Sequence, residues 1–247
     1  MSTATLKKPR RQKRLAARKP IHGGLSSVTL ISDTETLEVP NWVRDLASFR
    51  RWVLSDEVPE KNHICFLDGE VWIDMSKEQI HTHIRVKREY TIVLGTLDKI
   101  DRRGEFLPDG VALVNLQANL SCGPDGLYFL KETLANGRIQ LVDGKKHGYV
   151  ELQGSPDMVL EIVSDGSVSK DLVKLRELYW QAEIPEYWLV DVRGDEVIFE
   201  IYRHAAKGYI AARKQDGWIK SNVYGKSFRL IRQNDEQGHP EFTLEVK

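Results

Sequence analysis

The stretch Ser155-Pro-Asp-Met158-Val-Leu-Glu161-Ile-Val163-Ser-Asp-Gly166 decides how the rest of the chain reads. Its apolar run, Met158–Val163, is bounded by Ser155-Pro156 on one side and Asp165-Gly166 on the other. A short continuous apolar run between turn residues is the profile of a central strand buried on both faces. A helical pattern follows from about Asp171 to Ala182, with Ser169 as its expected N-cap. Pro185 stops that helix, and a second apolar strand returns over Glu186–Val192. Strand, helix, strand in one sheet calls for two parallel strands joined by a right-handed crossover.

Working outward, Gly126–Leu130 reads as a strand introduced by Gly123-Pro124-Asp125, and Ile139–Val142 with Tyr149–Leu152 as an inserted hairpin around Asp143-Gly144. Ile64–Phe66 and Glu70–Ile73 flank Asp68-Gly69, a pair suited to a tight hairpin turn. Pro40 opens a helix expected over Asn41–Leu54, and Lys77–Ile100 is a longer one with Ile84, Tyr90, Val93, Leu94 and Leu97 as its apolar stripe. After Gly194-Asp195, Val197–Arg203 alternates, and Tyr209–Ala212, Trp218–Ile219 and Phe228–Ile231 are expected as edge strands. Hairpins and a crossover together predict an α/β (α+β) fold, a mixed β-sheet flanked by helices.

The chain has 247 residues, with 36 Lys+Arg against 36 Asp+Glu, so its formal charge is zero. That zero conceals an asymmetry. Residues 1–24 hold eight basic residues and no acid, which leaves a net charge of −8 on the remainder. The basic tail is either a solvated, disordered extension or an arm attracted to phosphates. Two cysteines, Cys65 and Cys122, cannot build a disulfide framework or a four-cysteine zinc site, which fits a reducing compartment. No apolar run approaches the ~20 residues needed to span a bilayer, and the basic start lacks the apolar segment of a secretory signal. A cytoplasmic location is the expectation.

Glu161 is the chemically informative residue, because a carboxylate inside an apolar strand must take up a proton, a metal or a cation, or meet a salt bridge. If Gly126–Leu130 and Met158–Val163 are antiparallel neighbours, Asp125 arrives beside Glu161, and two such carboxylates suit Mg²⁺ or Mn²⁺. Asp157 is a weaker candidate, ~13 Å from Glu161 at ~3.3 Å per strand residue. Lys174, on the first turn of the following helix, is the expected cation, against the plain alternative of a solvated helix lysine. His81 and His83 lie near the start of their helix, either at the surface or with one turned toward the site. Ser164 and Ser167 lack a visible His/Asp relay, and no glycine-rich phosphate loop is present.

Three segments together carry a resemblance: Pro156-Asp-Met-Val-Leu-Glu161-Ile-Val-Ser164, then Asp171-Leu-Val-Lys174 with Tyr179, then Ile184-Pro-Glu-Tyr-Trp-Leu-Val-Asp191. With Leu67-Asp-Gly-Glu70, Asp74-Met-Ser76, Gly123-Pro-Asp125, Trp218-Ile-Lys-Ser221 and Gly225-Lys-Ser-Phe-Arg-Leu230, the chain resembles the Uma-two family of restriction-endonuclease-like proteins in the PD-(D/E)XK nuclease superfamily. The resemblance covers residues 41–232, leaving the 1–24 tail and a 233–247 C-terminal extension outside.

It implies a restriction-endonuclease-like αβββαβ core with extra C-terminal strands, and metal-dependent hydrolysis of DNA phosphodiesters. Asp125 and Glu161 would bind Mg²⁺ or Mn²⁺, and Lys174 would orient or activate water. Nucleases of this kind often act as homodimers. Two departures stand out: Val163 replaces the lysine of the superfamily pattern, and Cys65 stands where relatives often carry glutamate. The resemblance answers the first with a lysine moved onto the next helix, which Lys174 matches; Cys65 and the acidic body favour, as the alternative, a catalytically inactive nucleic-acid-binding or regulatory protein that keeps the fold. A third reading is an interaction module without nucleic acid. Deleting residues 1–24 is expected to weaken DNA binding and flatten its dependence on salt, by up to ~0.9 in log–log slope for each phosphate the tail neutralises. An unchanged slope leaves the tail as a solvated extension.

Overall fold

Met158–Ile162 is a strand all five of whose residues are buried, hydrogen-bonded on one side to a parallel neighbour and on the other to an antiparallel one. The computed structural model describes residues 28–31, 36–56, 58, 63–74, 78–144 and 148–247. The basic tail lies outside them. Strands β1 (Val28–Ile31) and β2 (Thr36–Val39) form an antiparallel hairpin within a unit that ends at Asn41; everything below concerns the second unit, Trp42–Lys247.

Helix α1 (Leu46–Val53) starts later than Pro40 predicts. Asp45 accepts a hydrogen bond from Ser48 N, and Ser48 Oγ accepts one back from Asp45 N, so this capping box fixes the first turn. Strands β3 (His63–Leu67) and β4 (Glu70–Asp74) turn on Asp68-Gly69, both at positive φ, as the expected hairpin requires. The expected 77–100 helix divides into a π-helical turn, Ile80–Ile84, and α2 (Arg85–Asp101), which buries Val86, Tyr90 and Leu94.

There follow β5 (Gly104–Pro108), β6 (Ala112–Asn115), β7 (Leu120–Cys122), β8 (Gly126–Leu130), α3 (Lys131–Ala135), β9 (Ile139–Asp143), β10 (Tyr149–Gly154) and β11 (Met158–Ile162). A second π-helical turn, Lys170–Leu175, leads into α4 (Arg176–Gln181) and β12 (Glu186–Asp191). Ser169 does not cap it, because its backbone is already helical; Ser164 and Ser167 exchange side chain–backbone bonds of 2.9 and 3.2 Å instead. The chain ends with β13 (Ile198–Ala205), β14 (Gly208–Ala211), β15 (Lys214–Gln215), β16 (Trp218–Lys220), β17 (Ser227–Asn234) and β18 (Pro240–Val246).

The central sheet runs β14-β13-β12-β11-β8-β5, with β11 and β12 parallel and the other pairs antiparallel. Read along the chain, α2-β5-β8-β11-α4-β12 is an αβββαβ order. A second sheet, β4-β3-β7-β6-β10-β9, joins the β3–β4 hairpin that precedes α2 to strands inserted between β5 and β8 and between β8 and β11. The sequence pattern does not announce its strands β6 and β7, which are four and three residues long, or β5 of the central sheet, which opens on Gly104 and runs into Pro108. Of the expected edge strands only β14 is one. Trp218–Ile219 and Phe228–Ile231 fall in a separate sheet, β15-β16-β17-β18, because Phe228 and Leu230 bury against the core with Phe242 and Leu244.

Strand alternation sets the two cores. Met158, Leu160 and Ile162 pack with Tyr90 and Leu94 of α2 and with the C-terminal sheet, whereas Val159 and Val163 pack with Leu175, Leu178 and Tyr179 and with Leu120 of the second sheet. Glu161 therefore points into the second of these cores. Among the described residues no helix is long and apolar enough to cross a membrane.

Glu186, at 1% exposure, ties the C-terminal sheet to the central one. Its carboxylate accepts from Trp188 Nε1 at 3.0 Å, Ser221 Oγ at 2.6 Å and Asn222 N at 2.6 Å. Glu186→Ala orphans these donors and is expected to cost about 3 kcal/mol, read as a lower midpoint in urea denaturation.

Candidate functional site

Where the ends of β8 and β11 meet the second sheet there is a cavity of about 470 Å³. Cys65, Glu78, His83, Asp125, Glu161, Lys170 and Asp171 all line it.

The antiparallel pairing that places Asp125 is present: Leu160 lies opposite Gly126, so Asp125 falls beside the end of β11. Its Oδ2 accepts the Ile162 N–H at 2.7 Å, which locks the carboxylate across the strand ends. Lys87 Nζ lies 3.1 Å from Asp125 Oδ1, and His83 Nε2 lies 3.5 Å from Oδ2. Burial alone would raise this carboxyl, but His83 and the Lys87 ammonium outweigh it and hold the group below its ordinary range. Lys87 also contacts Glu78 at 2.7 Å and Asp109 at 3.1 Å, and its ammonium is correspondingly stabilised against burial.

Glu161 is in the opposite state. It is 2% exposed, and burial, reinforced by Asp171 and only partly countered by Lys170, pushes its carboxyl well above the usual range. Its Oε1 accepts from Tyr179 Oη at 2.5 Å, and that hydroxyl also meets Cys122 Sγ at 3.2 Å. Lys170 Nζ stands 3.5 Å from Asp171 Oδ1. Burial would lower Lys170, yet Glu161 and Asp171 raise it, so the ammonium stays charged. Asp171 itself is raised to about 6, chiefly by burial, while accepting from Ser167 Oγ.

The structure thus brings together Asp125 and Glu161, and adds Lys170. It does not bring Lys174 to them: that ammonium pairs with Asp68 at 3.2 Å and is absent from the cavity lining. Lys170 and Lys174 are four residues apart, so helical spacing does not choose between them; in the folded chain Lys170 lines the cavity and Lys174 reaches Asp68 instead. Asp157 is structural, accepting from Leu130 N at 2.8 Å and pairing with Arg138. His83 lines the cavity, whereas His81 stacks on His239 at 4.2 Å. Cys65 is a buried thiol raised by desolvation, and it supplies no carboxylate to the wall. Lys87 and Glu78 carry no sequence signal beyond their proximity to the histidines.

The donor types fit a divalent ion. Glu78, His83 and Asp125 offer ligand atoms all within 4.8 Å of one another, and Glu161 adds a buried carboxyl to the same cavity.

An αβββαβ core with carboxylates at adjoining strand ends defines the restriction-endonuclease-like class of fold. Residues 46–241 match the model of the Uma2 family, described as "Putative restriction endonuclease", and the chain belongs to that family. Among solved structures, one titled as a putative nuclease belonging to DUF820 from Anabaena variabilis aligns with a TM-score of 0.54 at 16% identity, covering 73% of this chain and 90% of that one. At that identity the likeness bears on the fold. No curated protein matches the chain.

The two lysines differ in what they stabilise. Lys170→Met strips a buried pair of carboxyls of its cation and is expected to cost about 3 kcal/mol near pH 7. Lys174→Met breaks a solvent-screened pair and is expected to cost under ~0.5 kcal/mol. The Lys170→Met deficit should shrink as pH falls through about 6, where folded Asp171 takes up a proton and no longer needs the ammonium. Chemical denaturation at pH 7.5 and pH 5 checks both.

Proposed function

We propose that this protein is a Mg²⁺- or Mn²⁺-dependent endonuclease that hydrolyses DNA phosphodiester bonds. The observation that carries the reading is the convergence of Asp125, Glu161 and Lys170 on one cavity at the ends of two paired strands. Asp125 and Glu161 would hold the divalent ion, which when bound supplies charge neutralisation at the phosphate and lowers the pKa of water. The raised Glu161 carboxyl supports this role: it is a buried acid whose ionised form needs a cation beside it.

Lys170, held protonated by its two carboxylate neighbours, cannot act as a base and instead stabilises negative charge developing on the phosphoryl oxygens. We assign it the part that the family pattern gives to Lys174. Tyr179 donates to Glu161 Oε1, which fixes the carboxyl and leaves its other oxygen for the site. Two free buried cysteines support a reducing, cytoplasmic setting. One observation favours a second reading, a non-catalytic DNA-binding protein: the thiol of Cys65 lines the cavity where the family resemblance leads to the expectation of a carboxylate.

Supercoiled plasmid incubated with Mg²⁺ or Mn²⁺ tests the proposal. Cleavage is expected, with Glu161→Gln and Asp125→Asn abolishing it and Lys170→Met slowing it about a hundredfold. Lys174→Met should stay within about threefold of wild type, as a screened surface pair implies. No cleavage by the wild type, or undiminished cleavage by Glu161→Gln, overturns it. Salt-sensitive DNA binding without metal or cleavage would establish the second reading.

A further inference from the structure

His83 is an anomaly in this cavity. It is 6% exposed, yet its Nδ1 has no hydrogen-bond partner, with Glu78 Oε1 at 3.6 Å. Its other nitrogen, Nε2, is 3.5 Å from Asp125 Oδ2, at the limit of a hydrogen bond. A histidine buried for structural reasons satisfies its ring nitrogens, because an orphaned polar atom costs free energy. Here the ring stands between two carboxylates, close to both and firmly bonded to neither.

The charges around it are unbalanced as well. Glu78, Asp109 and Asp125 all gather on one ammonium, that of Lys87. Even with His83 protonated, a state that burial opposes and Asp125 and Glu78 favour, three carboxylates face only two positive charges. The ligand atoms of Glu78, His83 and Asp125 lie within 4.8 Å of one another. An ion with bonds of ~2.1 Å in tetrahedral geometry needs donors about 3.4 Å apart. Reaching that spacing requires Glu78, whose side chain is one-third exposed, to rotate toward the ring nitrogen that faces Asp125.

We infer that Glu78, His83 and Asp125 form a cation site for a borderline transition-metal dication such as Co²⁺ or Zn²⁺, in which the Lys87 ammonium is the counter-charge that the metal displaces. Two carboxylate oxygens and an imidazole select against Mg²⁺, which prefers oxygen donors throughout, and follow the order in which nitrogen-containing sites favour later first-row metals. The site shares Asp125 with the proposed nuclease centre but differs from it in ligand chemistry, and it does not require that the protein cleave DNA. Displaced from Glu78 and Asp125, Lys87 keeps Asp109 as its partner.

The test uses the full chain stripped of metal and titrated with Co²⁺, read by the visible absorption of the bound ion and by calorimetry. The wild type is expected to bind with a visible band. His83→Gln and Glu78→Gln should each weaken binding at least about tenfold, Glu161→Gln should leave the band in place, and Lys87→Met should tighten binding several-fold. Circular dichroism checks folding, and if His83→Gln does not fold, Glu78→Gln on its part-exposed loop carries the test. The proposal fails if the wild type gives no band, if Glu78→Gln binds as the wild type does, or if Glu161→Gln abolishes the band. An unchanged or weaker affinity in Lys87→Met overturns the displacement. Plasmid cleavage without Co²⁺ binding sinks this inference alone, and Co²⁺ binding without cleavage sinks only the nuclease reading.

Discussion

Burying a carboxyl in the middle of a sheet is costly, and much of the site follows from how Glu161 is accommodated. The strand that carries it must otherwise be apolar, since β11 lies between β8 and β12 with a core on each face. The carboxyl needs a donor, which Tyr179 provides from α4, and a nearby positive charge, which Lys170 provides from the π-helical turn. Lys170 in turn is held by Asp171, itself fixed by Ser167 in the loop that leaves β11. Strand, loop, turn and helix are thus tied to one another through a single acidic side chain.

The partner carboxylate is treated in the reverse way. Asp125 sits at a strand end, where a backbone N–H, an imidazole and an ammonium favour its ionised form, while Glu161 sits in the strand proper, where desolvation favours its neutral form. Two acids in one cavity with ionisation pushed in opposite directions are a common arrangement at reactive centres, because each then has a distinct task. The second sheet completes the cavity, and it brings the two thiols: Cys65 at the wall and Cys122 in the hydrogen-bond chain behind Glu161. Glu78, His83 and Lys87 come from the approach to α2 and its first turn, so three separate regions of the chain must dock before the charge cluster exists.

What could be read in the residues was whatever depends on near neighbours along the chain. The Met158–Val163 run between turn residues announced the central strand, Asp68-Gly69 announced its hairpin, and Gly123-Pro-Asp125 before Gly126–Leu130 announced where the second carboxylate stands. A single charge in an apolar strand is a local anomaly, so Glu161 was visible without any structure. The family resemblance rested on the same local runs, strung in order over most of the chain.

Tertiary structure decided the rest, for reasons of distance and phase. Helical periodicity cannot choose between Lys170 and Lys174, because residues four apart share one face of a helix and only tertiary partners tell them apart. Strand β5 gains its hydrogen bonds from β8, and the β6–β7 pair is completed by β10 and β3, partners distant in sequence. The C-terminal strands form their own sheet as Phe228 and Phe242 bury in the core with α2 and β13. The sequence by itself determined which strand is buried and which acid is out of place there; the folded chain determined which cation answers it, since only packing brings Lys170 into the cavity with Glu161 and sets Lys87 against Asp125.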